Sequence, residues 1–452
     1  MLPLNNSLYH MINTVRLFKK GKIHVLKLLK QQQKSQYYSL KQLREIQNKK
    51  LRALIKYSYQ NVPYYHELLR DQNLHYSDIK STKDLKKIPV LTKKNIQQNL
   101  NNMISINFNK NTLLENHTGG STGHPIIFYQ DKNYLNNADA ARILSWYTIP
   151  GYRLGSRTAV LWGAERDIRS KQSFVYTTRK WIYGTVTMNC NKMNDEKYEK
   201  FCRMIRIFKP VTIRGYAASL YHFANYIEKN QIQIPKIACI ISTAETLLDY
   251  QRKKLESVFN CHILNSYGCR EVSQIAMECK KHNGLHILME NQIVEVVDSN
   301  GEDISSGTGN VIVTNLNNYG MPFIRYNIED IAQVSSVDKC ECNRGLELID
   351  KIIGRQSSII KTPRGNYLQG EFFLMKFLNI PGINEIQVLQ DKIDHIIIYI
   401  VEGLNLDKNI IEKIRCDIKE QINENMTIKI QYIDTIKKPK SGKFQHVISY
   451  IN

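Results

Sequence analysis

Between residues 118 and 123 the chain reads Thr118-Gly119-Gly120-Ser121-Thr122-Gly123, three glycines and three hydroxyl side chains in succession. Glycine removes the Cβ that would hold an anion away from the backbone N–H groups, and the hydroxyls add donors, so the pattern suits a polyphosphate. The loop lacks the Lys-Ser or Lys-Thr ending of a Walker loop. The apolar run Ile126-Ile127-Phe128-Tyr129 that follows reads as a strand, so a helix N-terminus is not the obvious anion holder. Glycine-serine loops also serve as plain connections, and this one gains meaning only from what accompanies it.

Four further constellations accompany it. Ser242-Thr243-Ala244-Glu245 follows an apolar run, and hydroxyls beside an acid at a strand end can bond a base or ribose. Asn265-Ser266-Tyr267-Gly268-Cys269-Arg270-Glu271 sets an aromatic face, a flexible glycine, a cation and a carboxylate close together, suited to stacking a purine, neutralising phosphate and holding Mg2+; a solvated turn is the bland alternative. Met321-Pro322-Phe323-Ile324-Arg325-Tyr326 precedes Asp330, whose carboxylate can accept both ribose hydroxyls. Lys438-Pro439-Lys440-Ser441-Gly442-Lys443 presents a lysine after a glycine turn. Cysteine contributes a separate set: Cys340 and Cys342 share a polar loop, and with Cys279 and His286, or His282 in its place, they have the donors for a tetrahedral zinc site.

These residues need elements to hold them, and 452 residues provide room for two or three domains. Ser39 is placed to cap a helix with apolar positions at Leu40, Leu43, Ile46, Leu51, Leu54 and Ile55, ending at Val62-Pro63. From there to about residue 350 helical stretches alternate with short apolar runs, which predicts an α/β architecture. Beyond Gly354 two strand-like runs, a helix and a further strand predict a small α+β domain. The boundaries expected are residues 1–353 and 354–452.

The net charge of +22 comes from lysines scattered along the chain, so nucleic acid is not the expected partner. The basic N-terminal segment reads as a helix packed on the body, with peripheral contact to a membrane or partner as the alternative. Nine cysteines with no signal-like segment point to a reducing, cytoplasmic setting, and no apolar stretch has the length of a transmembrane span.

Taken in order, the motifs resemble those of the adenylate-forming enzymes (acyl-CoA synthetases, peptide-synthetase adenylation domains and luciferases), and within them the phenylacetate-CoA ligase-like and CapK-like branch. The resemblance runs from Asn61-Val62-Pro63-Tyr64-Tyr65 to Lys443. It implies a large N-terminal domain that binds nucleotide and acid, and a small mobile C-terminal domain that carries Lys443. The loop Thr118 to Gly123 would wrap the ATP β- and γ-phosphates, Tyr267 would stack on adenine, and Glu271 would hold Mg2+. Ala244, Glu245, Ser266 and Gly268 complete the nucleotide side, with Asp330 on the ribose and Gly354-Arg355 at the opening of the mobile domain. Lys443 would bridge the carboxylate and the α-phosphate. Arg270 stands where many relatives carry threonine or serine, and is expected to touch the α-phosphate itself. Ser357-Ser358 replaces the aspartates usual in the family's hinge.

The activity so implied is ATP-dependent activation of a carboxylic acid as acyl-adenylate, followed by transfer to a thiol, coenzyme A being the expected acceptor. An amine or hydroxyl of a sugar or amino acid is the alternative acceptor, and a degenerate nucleotide-binding protein is the reading from another class. The acid is expected near Arg214-Gly215-Tyr216-Ala217-Ala218-Ser219, with Trp162, Gly163, Tyr216, Ala217 and Ser242 as candidate walls.

Overall fold

The computed structural model describes residues 6–19, 22–118, 126–149, 151–162, 181–190, 194–335, 340–355, 359–364, 367–377, 380–436 and 446–451. The chain forms two compact units, the first comprising Met1–Ile328 and Ala332–Lys351, the second Glu329–Ile331 and Ile352–Asn452.

The first unit opens with helices set by local signals. The N-terminal basic segment forms Asn6–Lys19 and Ile23–Ser35; the second of these buries Val25 and Leu29 while Lys27 and Lys30 face solvent. The helix Leu40–Asn61 begins at Ser39 with a reciprocal cap, in which Ser39 Oγ accepts the Gln42 N–H and Gln42 Oε1 accepts the Ser39 N–H at 3.0 Å. That exchange satisfies donors that a helix start otherwise leaves open. Pro63 then opens the next helix, Pro63–Asp71, at a position where its missing N–H costs nothing. Among the described residues no helix is long and apolar enough to cross a membrane.

The strands in chain order are β1 (Leu114–His117), β2 (Ile127–Gln130), β3 (Thr158–Trp162), β4 (Thr185–Asn189), β5 (Thr212–Gly215), β6 (Cys239–Thr243), β7 (His262–Cys269), β8 (Ser273–Glu278), β9 (Leu285–Ile287), β10 (Gln292–Val297), β11 (Gly307–Asn315), β12 (Tyr326–Val334) and β13 (Leu348–Ile349). The main sheet has the order β13-β9-β8-β7-β6-β5-β3-β4. Its β4-β3-β5-β6-β7 half is parallel, and β7-β8-β9-β13 is antiparallel. Parallel neighbours need crossovers, which the helices Asp195–Phe208, Ala217–Lys229 and Asp249–Phe259 provide.

Both faces of the parallel half are covered, so β6 is apolar on each. Ile240 points with Ile213, Leu161 and Ile263 into a cluster filled by Phe201, Phe223 and Leu255 from the crossover helices. Cys239 and Ile241 point the other way, with Leu264, toward Ile149, Tyr152 and the end of the helix Lys132–Trp146. That helix is backed in turn by Val25 and Leu29 of the N-terminal segment, which meet Ala140, Ala141 and Leu144.

The second unit is an α+β body. After β14 (Lys351–Arg355), β15 (Ile359–Lys361) and β16 (Tyr367–Gln369), the strands β17 (Ile383–Lys392) and β18 (His395–Glu402) form a hairpin, and β19 (Thr427–Tyr432) and β20 (Val447–Ser449) add in parallel at its two sides. The helix Lys408–Ile422 makes the β18-to-β19 crossover and packs Ile411, Ile418 and Ile422 inward. Buried Gln390 organises one end: its amide bonds Lys361 O at 2.6 Å, and its carbonyl accepts Lys361 N–H at 3.0 Å and Ser449 Oγ at 2.8 Å. A buried amide with every group engaged pins register in a way an apolar side chain does not.

Candidate active site

The hairpin β1–β2 carries the glycine loop, and Thr118 closes the base of that loop. Its N–H donates to Ile126 O at 3.1 Å, and its Oγ1 accepts the Ile126 N–H at 3.0 Å. Gly119, Gly120, Ser121, Thr122 and Gly123 lie outside the described residues, as does Lys443.

The foot of the hairpin is tied to the Arg270–Glu271 turn. Gln130 Nε2 donates to Arg270 O at 3.0 Å, and Tyr134 OH donates to Glu271 O at 3.2 Å. Asp131 between them caps the helix Lys132–Trp146 and also accepts the N–H groups of Tyr319 and Gly320 at 2.6 and 2.9 Å. Glu271 is buried, and its Oε1 accepts a hydrogen bond from Tyr326 OH at 3.1 Å. Its Oε2 makes none among the described residues, and a carboxylate with one oxygen oriented and the other uncommitted suits a hard cation such as Mg2+. Arg270, half-buried, adjoins it.

Tyr267 and Gly268 sit at a register shift between β7 and β8. A Cβ at Gly268 would come within 2.4 Å of Ser273 O, so only glycine fits there. The preceding Ser266 exchanges hydrogen bonds with Gln274, and its carbonyl accepts from Thr243 Oγ1 at 2.9 Å. Tyr267 is buried, with 8% of its surface exposed. At the end of β6, Ala244 adopts φ +69°, a left-handed backbone that a side chain disfavours. This bend turns Glu245 toward the helix Ala217–Lys229, where its Oε2 accepts the Ala218 N–H at 3.0 Å. That is favourable placement for a carboxylate at a helix start, and it gives Glu245 a scaffold role beside the ribose or base contact expected from sequence.

On the acid side, Trp162 ends β3 and lies against Tyr216, ring centroids 4.7 Å apart at 50°. Ser242 is fully buried, and among the described residues its Oγ has no hydrogen-bond partner. Ala217 is buried in the hydrophobic cluster with Leu220 and Phe223. Arg214, whose charge the sequence reading passed over, stands on β5 with its guanidinium 5.1 Å from the Trp162 ring and 5.9 Å from the Trp146 ring. Trp162, Arg214, Ser242 and Ala244 thus all lie at or near the carboxyl ends of parallel strands, where α/β sheets place ligands.

In the second unit, Arg355 Nε lies 3.1 Å from Asp330 Oδ1. The two residues expected on the nucleotide are therefore bound to each other, with Asp330 nearly buried.

Cys279, His286, Cys340 and Cys342 do converge, their ligand atoms all within 4.8 Å of one another. Cys279 Sγ is 3.6 Å from Cys340 Sγ, and Cys342 Sγ is 3.3 Å from His286 Nε2. Donors about 2.3 Å (S) and 2.0 Å (N) from a tetrahedral zinc would be separated by about 3.5 to 3.8 Å, close to the spacing of these two pairs. Burial, with Arg344 nearby, pushes the His286 imidazole down to about 4, which keeps it neutral and ligand-competent. Burial pushes the Cys340 thiol up to about 12; at Cys342 burial acts the same way but Arg344 and Cys340 outweigh it and hold the thiol below its ordinary value. His282 is engaged elsewhere, 3.1 Å from Arg252 Nη1 and beside Glu278. Six residues of extended β8 separate Ser273 from Cys279, about 20 Å, which sets this cluster apart from the Glu271 turn.

Comparison with known proteins adds a frame to this geometry. Residues 360–450 match the model of the CapK C-terminal domain. The protein CapK of Staphylococcus aureus is 26% identical, covering 96% of this chain and 95% of its own. A phenylacetate-coenzyme A ligase of Pseudomonas putida is 25% identical, covering 90% of this chain and 94% of its own. Among solved structures, 2-hydroxyisobutyryl-CoA ligase, captured in the postadenylation state with an acyl-AMP, superposes with a TM-score of 0.69 at 14% identity, covering 90% of this chain and 89% of that one. By sequence the chain is similar to CapK and to the phenylacetate-CoA ligases, and it shares the fold of 2-hydroxyisobutyryl-CoA ligase.

Proposed function

We propose that this protein is an ATP-dependent carboxylic acid ligase that forms an acyl-adenylate and passes the acyl group to coenzyme A. The observation that carries the reading is the anchoring of the glycine-loop hairpin, through Gln130 and Tyr134, on the same turn whose Glu271 is oriented by Tyr326. A phosphate loop and a cation-holding carboxylate linked in this way serve one polyphosphate.

In the first half-reaction the substrate carboxylate attacks the α-phosphorus of ATP, a P–O bond to the β-phosphate breaks, and pyrophosphate leaves. Negative charge gathers on the α- and β-phosphate oxygens, and the work of the protein is to hold the groups in line and offset that charge. Arg270 contacts the α-phosphate, the loop Thr118 to Gly123 grips the leaving pyrophosphate, and Lys443 bridges carboxylate and phosphate. Glu271 would hold a Mg2+ ion, which would supply further charge neutralisation. Tyr267 stacks on the base and Asp330 accepts the ribose hydroxyls. In the second half-reaction a thiolate attacks the acyl carbon and AMP departs. Residues 354–452, opening at Gly354-Arg355, act as the mobile domain that brings Lys443 to the first step and withdraws it for the second.

The Cys279, His286, Cys340 and Cys342 cluster binds a structural zinc that staples the loop bearing Cys340 and Cys342 to the β8–β9 edge. Such a metal contributes to folding and not to the acyl chemistry.

The direct test is acid-dependent ATP–pyrophosphate exchange over a panel of carboxylic acids. Wild-type exchange with at least one acid, its loss in Lys443→Ala and a thioester product formed only with coenzyme A are the expected results. Exchange without thioester formation, but with acyl transfer to an amine or hydroxyl, would move the acceptor to the second reading. Binding of ATP with no exchange for any acid would leave a degenerate nucleotide-binding protein.

A further inference from the structure

Arg214 is a half-buried cation, and among the described residues no carboxylate pairs with it. Its Nε is sealed from solvent, and among the described residues that nitrogen has no hydrogen-bond partner. Its electrostatic neighbours are Arg142, which repels it, and Tyr216, while its guanidinium faces the rings of Trp146 and Trp162. Burial pushes its ionisation down to about 10, still well above neutrality, so the group stays charged. Other enclosed arginines in this unit are treated differently. Arg252 meets Glu278 at 2.9 Å, and Arg325 meets Glu295 at 3.0 Å. Arg142, whose guanidinium lies 5.5 Å from the Trp146 ring, is paired with Asp139 at 3.0 Å.

A guanidinium withdrawn from water costs several kcal/mol unless it is paired, and two indole faces recover only part of that. Position argues for a ligand as the missing partner. Arg214 is the penultimate residue of β5, in register with Val160 of β3 and Ile241 of β6, and Trp162 ends the neighbouring strand. The carboxyl ends of these strands are where the acid is expected. The carboxylate that reacts is assigned to Lys443, so the partner of Arg214 is a second anionic group on the same acid. Aromatic walls on both sides lower the local dielectric and strengthen a bidentate guanidinium–carboxylate pair.

We infer that the acid activated by this protein carries a second anionic group, a carboxylate in the first instance, which Arg214 binds between Trp146 and Trp162 while the other carboxylate reacts. This rests on the adenylation reading and narrows it from acids in general to diacids.

The test is ATP–pyrophosphate exchange with matched pairs: benzoate against terephthalate, propionate against succinate, and phenylacetate against its para-carboxy derivative. The wild type is expected to use at least one diacid better than its monoacid by tenfold or more in kcat/KM, a gap of the size one charge-assisted pair provides. Arg214→Met should remove that preference by weakening the diacid and sparing or improving the monoacid, and Arg214→Lys should retain part of it. A wild type that prefers the monoacid of every pair overturns the inference and leaves the adenylation reading standing, and this arm needs no variant to fold. An Arg214→Met protein that loses both members of a pair equally, or whose KM for ATP rises with every acid, also overturns it. Absence of exchange with any acid overturns both.

Discussion

Arg355 Nε sits 3.1 Å from Asp330 Oδ1, so the arginine that opens the C-terminal segment is paired with the aspartate assigned to the ribose. In this arrangement the guanidinium orients the carboxylate. Asp330→Ala is expected to raise the KM for ATP about 10- to 100-fold, since each hydrogen bond to a charged group contributes about 1.5 to 3 kcal/mol, with the KM for the acid little changed. Arg355→Ala should give a smaller rise in the same parameter. Equal effects on both substrates would remove Asp330 from the nucleotide.

Tyr326 orients Glu271 through a single hydrogen bond at 3.1 Å. Tyr326→Phe deletes the hydroxyl with little change of shape, and a lost bond of about 1 to 1.5 kcal/mol corresponds to a roughly tenfold drop in kcat/KM for exchange. Because Tyr326 acts through Glu271, raising the Mg2+ concentration should recover much of the loss in Tyr326→Phe and none in Glu271→Ala. A Mg2+-independent defect in Tyr326→Phe would make the tyrosine structural only.

The metal cluster predicts stoichiometric zinc. Purified protein should contain about one equivalent per chain by elemental analysis, and Cys342→Ser should lose it. Since structural zinc contributes to folding outright, the variant's Tm should fall while kcat per folded molecule is retained. Zinc-free wild type of unchanged Tm would show the four residues to be an unmetallated core.

Asp139 gathers two cations, accepting from Lys22 and lying 3.0 Å from Arg142. Burial alone would raise its carboxyl, but Arg142 and Lys22 outweigh burial and hold it below the ordinary carboxylate range. A depressed folded value means that its contribution to stability is present above an unfolded value of about 3.9 and is lost as pH falls through the folded one. Asp139→Asn should therefore cost about 0.5 to 1 kcal/mol at neutral pH, with the difference from wild type narrowing below pH of about 4. Urea midpoints across that range read it directly, and a constant difference would refute the account.

Much of the fold was legible because its signals are local. The reciprocal cap at Ser39 lies within four residues, and the apolar spacing after it is realised in Leu40–Asn61. The expected runs in the C-terminal part are realised as β17, β18, the helix Lys408–Ile422 and β19. Of the candidate site, Glu271 was legible from its motif, but Tyr326, which holds it, is 55 residues away and no spacing rule joins them. Gln130 and Tyr134 were missed for the same reason. The packing of Ala217 into the cluster with Phe223 was not legible either, because a small apolar residue after an aromatic one reads alike on a pocket wall and in a core.

By itself the sequence determined the order of chemical groups along the chain: a hydroxyl-rich glycine loop, a tyrosine-glycine turn ending in Glu271, Asp330, and a terminal lysine, together with the α/β alternation that separates them. These are properties of residue type and of neighbours a few positions apart, where backbone sterics and periodicity act. Only the tertiary structure decided which polar groups meet. It brought His286 and not His282 to the three cysteines, gave Arg252 and Arg325 their carboxylates, and set Arg214 near two tryptophans with no carboxylate among the described residues. Pairing of buried charge is settled by which elements pack together across long stretches of chain, and the same residue types in the same order are compatible with either outcome.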